Sequence, residues 1–259
     1  MTPLAGKVAV VSGASKGMGR HFVAALIAAG MKVTALARPS PALDTLAEEL
    51  GQSVLPLACD VSCPDQANAA IARTVAQFGQ IDVLVNNAGI FHPFAFEHGS
   101  DALIRQHVDV NLLGVAWLTR AAIPHLRATQ GQIVTISSES ARLPFPMLAL
   151  YAATKAAVET LSAGLRDELR SDGIRVSVLR SGNVSGGSGS ESWSQETVQA
   201  FYRKITETGH AAMTGAPATP QSMAAALVAI LSLPRDVSAD MIELRAAQTG
   251  VPDGVAALS

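Results

Sequence analysis

Lys7-Val8-Ala9-Val10-Val11-Ser12-Gly13-Ala14-Ser15-Lys16-Gly17-Met18-Gly19 reads as a short apolar strand, a glycine-rich turn and the opening of a helix. The run Val8 to Val11 is too short for a helix, is β-branched, and suits a strand buried on both faces. Glycines permit a tight turn and a close approach of backbone to a bound group. A helix that opens on such a turn presents free N–H groups and a positive dipole end to an anion. Strand, glycine turn and helix in this order outline a dinucleotide pyrophosphate site. An ordinary strand-to-helix turn shares the outline, but the placement at the first junction of the chain favours the dinucleotide reading.

The same alternation continues outward. Val33 to Leu36, Val54 to Leu57, Val83 to Val85, Ile133 to Ile136 and Val176 to Leu179 read as further strands, with Met241 to Leu244 as one more. Between them lie helical patterns over Gly19 to Ala29, Ala42 to Leu50, Asp65 to Phe78, Asp101 to Thr129 and Tyr151 to Ser171. Alternating strands and helices predict an α/β fold, a doubly wound, mostly parallel sheet with helices on both faces. The chain has 259 residues, no internal repeat and no linker, so residues 1–259 are expected to form a single domain. The polar stretch Ser181 to Ser190 follows the sixth strand, where ligands bind in such sheets, and a flexible substrate lid is expected over about 181–210. A mobile loop without function fits the composition equally well.

Hydrophobic residues make up 49% and charged residues 15%, a globular composition with a formal net charge of -2. No basic block offers the footprint of nucleic-acid or anionic-membrane binding, and no apolar run reaches spanning length. A cytoplasmic location is expected. Cys59 and Cys63 match neither a zinc set nor a redox pair, and the six His show no ligand spacing, so no metal is implied.

The end of the second strand bears on cofactor choice. A site for NAD usually places an acid there to hold the ribose hydroxyl; this chain has Ala37 and Arg38. Arg38, with Lys16 from the glycine turn, could pair with a 2′-phosphate, so NADP is expected over NAD. Two exposed cations on an ordinary surface are the alternative. Asp60, after the third strand, suits the adenine edge.

Tyr151-Ala152-Ala153-Thr154-Lys155 sets a phenol and an ammonium one helical turn apart. A cation beside a phenol favours the phenolate and lowers its pKa, so the pair could move a proton near neutral pH. By itself this spacing also arises by chance on solvated helices.

Taken together these residues resemble the short-chain dehydrogenase/reductase family, from Lys7 to about Asn183. The glycine motif is Gly13, Gly17 and Gly19, with Ser12 where Thr is more usual. Asn86-Asn87-Ala88-Gly89 is similar to the element after the family's fourth strand, and Asn111 falls at its helix-kinking Asn. Ser138 stands thirteen residues before Tyr151, the family spacing. The resemblance implies a seven-stranded sheet and a catalytic set of Asn111, Ser138, Tyr151 and Lys155. In it Ser138 polarises a carbonyl, Tyr151 moves the proton, Lys155 tunes Tyr151 and binds the nicotinamide ribose, and Asn111 holds a relay water. It extends the cofactor site to Gly13, Ser15, Lys16, Gly17, Met18, Gly19, Arg38, Asp60, Val61, Asn86, Ala88, Gly89, Tyr151, Lys155 and Val184. Ser138 as a turn cap, and Asn111 and Asn86 as structural amides, stay open beside these roles. Ser181-Gly182 replaces the family's usual Pro-Gly, and Gly186 or Ser185 stands where a Thr is common, which leaves the loop less constrained.

The resemblance also places Leu143 to Leu148 at the substrate pocket, with Phe91, Val184 and Trp193 as further walls. That lining implies a hydrophobic ketone or secondary alcohol as small-molecule partner, or else a subunit contact. Assembly as a homotetramer or homodimer is implied too. An NAD-dependent alcohol dehydrogenase of the same family and a non-catalytic dinucleotide-binding regulator are the rival readings.

Overall fold

The computed structural model describes residues 3–186, 193–211 and 216–247. Seven strands, β1 (Val8–Ser12), β2 (Lys32–Ala37), β3 (Val54–Ala58), β4 (Val83–Asn86), β5 (Gln132–Ser138), β6 (Arg175–Ser181) and β7 (Met241–Leu244), form one sheet in the order β3-β2-β1-β4-β5-β6-β7. Every pairing is parallel. Each strand lies within two residues of its sequence reading, because all are short, mostly apolar runs. The order reverses between β1 and β4, and that junction opens a crevice at the strands' C-terminal ends.

Successive strand residues face opposite layers. Ala9 and Val11 enter one core with Phe22, Leu26, Leu43, Leu46 and Leu227. Val10 enters the other with Ile71, Leu84, Leu118, Leu126 and Ile133. The first core is covered by α1 (Gly17–Ala28), α2 (Pro41–Leu50) and a late helix, α8 (Pro220–Leu231). The second is covered by α3 (Pro64–Phe78) and α5 (Gly114–Thr129). Ser40 and Thr219 cap α2 and α8 through their side chains, each followed by Pro at the first helical position. Among the described residues no helix is long and apolar enough to cross a membrane, and no group of His, Cys, Asp or Glu could hold a metal. Both cysteines are free, and burial pushes the Cys59 thiol up to about 11.

Two helix readings are corrected, and the stretch expected as a lid proves partly helical. The single helix expected over Asp101 to Thr129 is α4 (Asp101–Val108), a π-helical turn over Asp109–Leu113, and α5. The helix expected from Tyr151 is α6 (Ala149–Glu168), which starts a half turn earlier and ends in a 3-10 turn, Arg170–Asp172. The stretch 181–210 contains a helix, α7 (Gln195–Glu207), capped by Ser194. Its beginning is pinned: Val184 bridges Ala218, and the Ser185 amide donates to the Ala218 carbonyl at 2.8 Å. The middle of the expected lid, residues 187–192, lies outside the described residues.

Buried Ser12 ties the two sides of the crevice together. Its Oγ accepts the amides of Asn87 and Ala88, each at 3.0 Å. Ser12→Ala leaves both donors without a partner, which costs about 1–3 kcal/mol for a buried polar group. The urea midpoint is expected to fall accordingly in Ser12→Ala and to stay near wild type in Ser12→Thr, which keeps the hydroxyl. An unchanged midpoint in the Ala variant would show that the hydroxyl bridge carries no stability.

Candidate active site

The glycine turn is shaped by close approach. Gly13 and Gly17 have φ of +65° and +53°, a region that favours glycine. A Cβ on Gly13 would stand 2.8 Å from Ala88 Cα, and one on Gly19 would overlap the Gly13 carbonyl and Asn87 Nδ2. Asn87 Nδ2 donates to the Ser12 carbonyl at 2.9 Å and to the Gly13 carbonyl at 3.2 Å, so the turn is clamped from the end of β4. Helix α1 opens without a side-chain cap on its first amides, which suits an anion there. Ser15 and Met18 are half-buried beside it and Lys16 is exposed. Met18 Sδ lies 4.0 Å from Ser181 Oγ, so the turn meets the end of β6. Arg38 is exposed just beyond β2 and makes no hydrogen bond or ion pair among the described residues.

The adenine side is more structural than the sequence suggests. Asp60 Oδ1 accepts both the amide and the hydroxyl of Ser62, at 2.9 and 2.6 Å. Buried Val61 packs on Gly114, where a Cβ would stand 2.8 Å from Val61 Cγ2. Asn86 Nδ2 donates to Thr119 Oγ1 at 2.9 Å, while its buried Oδ1 has no partner among the described residues. Val184, half-buried, closes the far side against the first core. These features fit a nicotinamide dinucleotide: a backbone cradle that a Cβ would fill, an uncapped helix start, an orphaned buried acceptor and an unpaired cation beyond β2.

Two of the four expected catalytic residues, Asn111 and Lys155, meet at Gly89, and Tyr151, with Ser138, lies beside Lys155. A Cβ on Gly89 would stand 3.4 Å from both Asn111 Oδ1 and Lys155 Nζ. Asn111 sits in the π turn, an irregularity that often marks a functional site. Its Oδ1 accepts the Ile90 amide at 2.8 Å, and its Nδ2 donates to the Ile90 carbonyl at 2.9 Å and to Thr154 Oγ1 at 3.1 Å. The side chain is thus a clamp between the loop after β4 and α6. Ser138 accepts the Ser140 amide at 3.2 Å, and its hydroxyl faces the Tyr151 phenol, so it is turn cap and phenol neighbour at once. Lys155 is buried, and its Nζ donates to the Ile136 carbonyl at 2.9 Å.

One expectation is reversed here. Burial raises the Tyr151 pKa, against the effect of the Ser138 hydroxyl and with the help of the Glu139 charge. Lys155 Nζ stands 5.8 Å from the Tyr151 ring centroid and is itself pulled down to about 8 by burial, with Glu159 opposing. The ammonium lies over the ring and is committed to a backbone carbonyl, so the protein alone keeps the phenol protonated.

An apolar wall flanks the phenol. Buried Phe145 and Leu148 cluster with Ile205 of α7, and Phe91, Tyr151, Phe201 and Tyr202 pack on them. Phe91 lies 5.7 Å from the Tyr151 ring and 5.1 Å, edge-on, from Trp193, whose Nε1 donates to the Phe91 carbonyl at 3.1 Å. The sequence reading gave Asn87 no role of its own and passed over Thr154, Ser137 and Glu159. Asn87 and Thr154 lie inside the motifs quoted above, and nothing in their spacing marks them. Ser137 and Glu159 lack even that signal, since their partner, Arg180, is distant in sequence.

A family model described as short chain dehydrogenase matches residues 7–197. The protein named 11-beta-hydroxysteroid dehydrogenase-like 3 from Arabidopsis thaliana is 36% identical over 187 residues, 70% of this chain and 60% of that protein. The match therefore spans less than two thirds of that relative's length. The 3-ketoacyl-(acyl-carrier-protein) reductase of Brucella melitensis, solved with NADH, has a TM-score of 0.81 and 28% identity, covering 95% of this chain and 99% of its own. The alcohol dehydrogenase of the archaeon Thermococcus sibiricus, solved with 5-hydroxy-NADP, has a TM-score of 0.80 and 27% identity, covering 94% and 98%.

His107, fully buried on α4 one turn before Asn111, titrates within this framework. Its Nδ1 bonds the Leu103 carbonyl at 2.9 Å and its Nε2 accepts the His92 amide at 3.2 Å, which fixes a neutral ring. Burial, with a contribution from His92, lowers its pKa against the Leu103 bond. The unfolded chain therefore binds a proton more readily, near pH ~6.5, than the fold does. The contribution to stability is fully present above about pH 6.5 and is lost as the pH falls below it. Urea midpoints measured from about pH 5 to 7.5 are expected to slope downward on the acid side in wild type. His107→Gln is expected to be less stable throughout and to have a flatter slope; equal slopes would remove His107 from the pH response.

Proposed function

The chain belongs to the short-chain dehydrogenase family, and we propose that it is an NADP-dependent carbonyl reductase, reversible as an alcohol dehydrogenase, acting on a hydrophobic ketone or secondary alcohol. The observation that carries this reading is the grouping of Asn111 and Lys155 at Gly89 with Tyr151 and Ser138 alongside Lys155, beside the clamped glycine turn. Gly13, Ser15, Lys16, Gly17, Met18 and Gly19 would hold the pyrophosphate side of the dinucleotide, and Asp60, Val61, Asn86, Ala88 and Val184 its two ends. When bound it supplies or takes a hydride.

The chain's own residues handle the proton. Ser138 offers its hydroxyl to the substrate oxygen. Tyr151, kept protonated by burial, gives its proton to that oxygen as negative charge develops there, and takes one in reverse. The Lys155 ammonium balances the negative charge left on the phenolate. Asn111 holds the loop and α6 in register; the unused lone pair of its Oδ1 is available to a relay water. The wall of Phe91, Phe145, Leu148 and Trp193 excludes water and supports an apolar substrate. The NADP preference is supported by unpaired Arg38 and the missing acid beyond β2; the structures compared above carry one cofactor of each kind. Assembly as a homodimer or homotetramer belongs to the same reading, supported by the small Ala156, Ala157 and Ala163 along α6.

Tyr151→Phe is expected to lower turnover of hydrophobic ketones by about 10²–10⁴-fold while NADPH still binds. Turnover is followed at the nicotinamide absorbance and binding by its fluorescence; near-normal turnover would refute the proton donor. Arg38→Asp is expected to weaken NADPH by about tenfold or more and to leave NADH much less affected. A kcat/KM ratio for the two cofactors equal to wild type would remove Arg38 from the cofactor argument.

A further inference from the structure

Helix α6 carries a second charged side chain one turn beyond Lys155. Glu159 has a side chain only 14% exposed. Among the described residues it makes no ion pair with Lys155. It accepts Arg180 Nε at 2.9 Å and Arg180 Nη2 at 2.6 Å, a two-point grip, and Ser137 Oγ donates to it at 2.6 Å. Ser137, Arg180 and Glu243 stand side by side across β5, β6 and β7. Arg180 Nη1 donates to Glu243 at 2.9 Å, and Arg245 reaches Glu243 at 3.0 Å and Glu139 at 3.5 Å. Lys155, Glu159, Arg180, Glu243, Arg245 and Glu139 thus alternate in sign. At one end Glu159 stands one helical turn beyond the ammonium and acts on it by charge; at the other Glu139 follows Ser138 and acts on the Tyr151 phenol.

Strand β5 indexes α6 residue by residue. The Ile136 carbonyl takes Lys155 Nζ, Ser137 Oγ binds Glu159 and lies 3.4 Å from the Lys155 carbonyl, and Ser138 faces Tyr151. A direct Lys155–Glu159 pair would draw Nζ off the Ile136 carbonyl and away from Gly89. Holding the carboxylate on Arg180 instead leaves its field acting on an ammonium that stays aimed at the site.

We propose that Glu159, fixed by Arg180 and Ser137 one helical turn beyond Lys155, is a positioning residue for the proton-transfer pair: its carboxylate is held where it balances the buried ammonium without drawing Nζ off the Ile136 carbonyl. Charged or titratable groups reach this part of the site from every neighbouring element. They are Tyr151 and Glu159 on α6, Glu139 from the turn after β5, Arg180 from β6 and His107, held neutral, on α4. Of these, Glu159 is the charge that opposes the effect of burial on Lys155. The role in turnover rests on the proposed function; the electrostatic role does not.

The chain has five lysines, Lys7, Lys16, Lys32, Lys155 and Lys204, few enough to follow singly by NMR with carbon-13-labelled lysine. Lys155, assigned through Lys155→Met, is expected to titrate near pH 8 in the full-length protein. In Glu159→Gln its midpoint is expected to fall by about half to one unit, a three- to tenfold loss of proton affinity, with the other four lysines unmoved. A Lys155 titration superimposable on wild type would overturn the proposal. A wild-type measurement guards against misfolding of that variant. The Glu159 carboxyl resonance, assigned through Glu159→Asp, is expected to inflect at the Lys155 midpoint, and a flat response there would also overturn it. With a ketone turned over by wild type, the alkaline limb of kcat is expected to move down in Glu159→Gln with KM held. A shifted titration with an unmoved limb would reject the positioning role. Absence of any wild-type turnover would reject the proposed function and leave the lysine titration readable.

Discussion

The hydroxyl of Ser12 is the point on which the site depends. At the switch between β1 and β4 the two strands diverge toward their helices, and their terminal amides would otherwise face a buried gap. Ser12 Oγ takes the amides of Asn87 and Ala88, and Asn87 returns two bonds to the carbonyls of Ser12 and Gly13. This reciprocal lock sets the height of the glycine turn, since Gly13 and Gly19 have no room for a Cβ beneath it. The same lock fixes Gly89, two residues on, against Asn111 and Lys155. The glycine turn and the corner that holds Asn111 and Lys155 are therefore placed relative to one another by one buried side chain, through backbone rather than through a long chain of packed side chains.

The second constraint is electrostatic. Putting a phenol and an ammonium in the same apolar corner destabilises both charged forms. Burial lifts Tyr151 and depresses Lys155, so in the protein alone the phenol holds its proton and the amine lies close to its titration point. That state suits the donation of a proton to an oxygen that is gaining charge. It differs from the simple picture of a cation lowering a neighbouring phenol, because the lysine's bond to the Ile136 carbonyl keeps its Nζ over the ring.

The fold was legible because its signals are local. Seven short, mostly apolar runs define the strands to within two residues. The site residues sit at strand ends and one helix turn apart, so spacing pointed to Tyr151 and Lys155, and the family resemblance added Ser138 and Asn111. What spacing could not convey is contact between distant segments. The π turn around Asn111 has no sequence period of its own, and the clamp from Asn111 to Ile90 and Thr154 exists only after α4 and α6 pack together. The expected lid reads as loop because Gly and Ser dominate 181–190, yet Val184 and Ser185 are pinned to Ala218, more than thirty residues away.

The charged row beneath α6 belongs to the same class of non-local feature, and its cost explains its form. Glu159 and Arg180 are each less than one sixth exposed, and burying an ion pair gains little if either member keeps unsatisfied atoms. Here the satisfaction is nearly complete: Arg180 spends Nε and Nη2 on Glu159 and Nη1 on Glu243, and Glu159 takes a hydroxyl besides. Apolar residues of equal volume would pack as well and stabilise the sheet at least as much. What they could not do is reach from the short edge strand β7 to both ends of the proton-transfer pair. That edge also supplies the Leu244 carbonyl to the Gly182 amide at 2.8 Å, where the loop lacks the proline usual at Ser181. One edge strand thus steadies the departing loop by a backbone bond and the proton-transfer residues by charge.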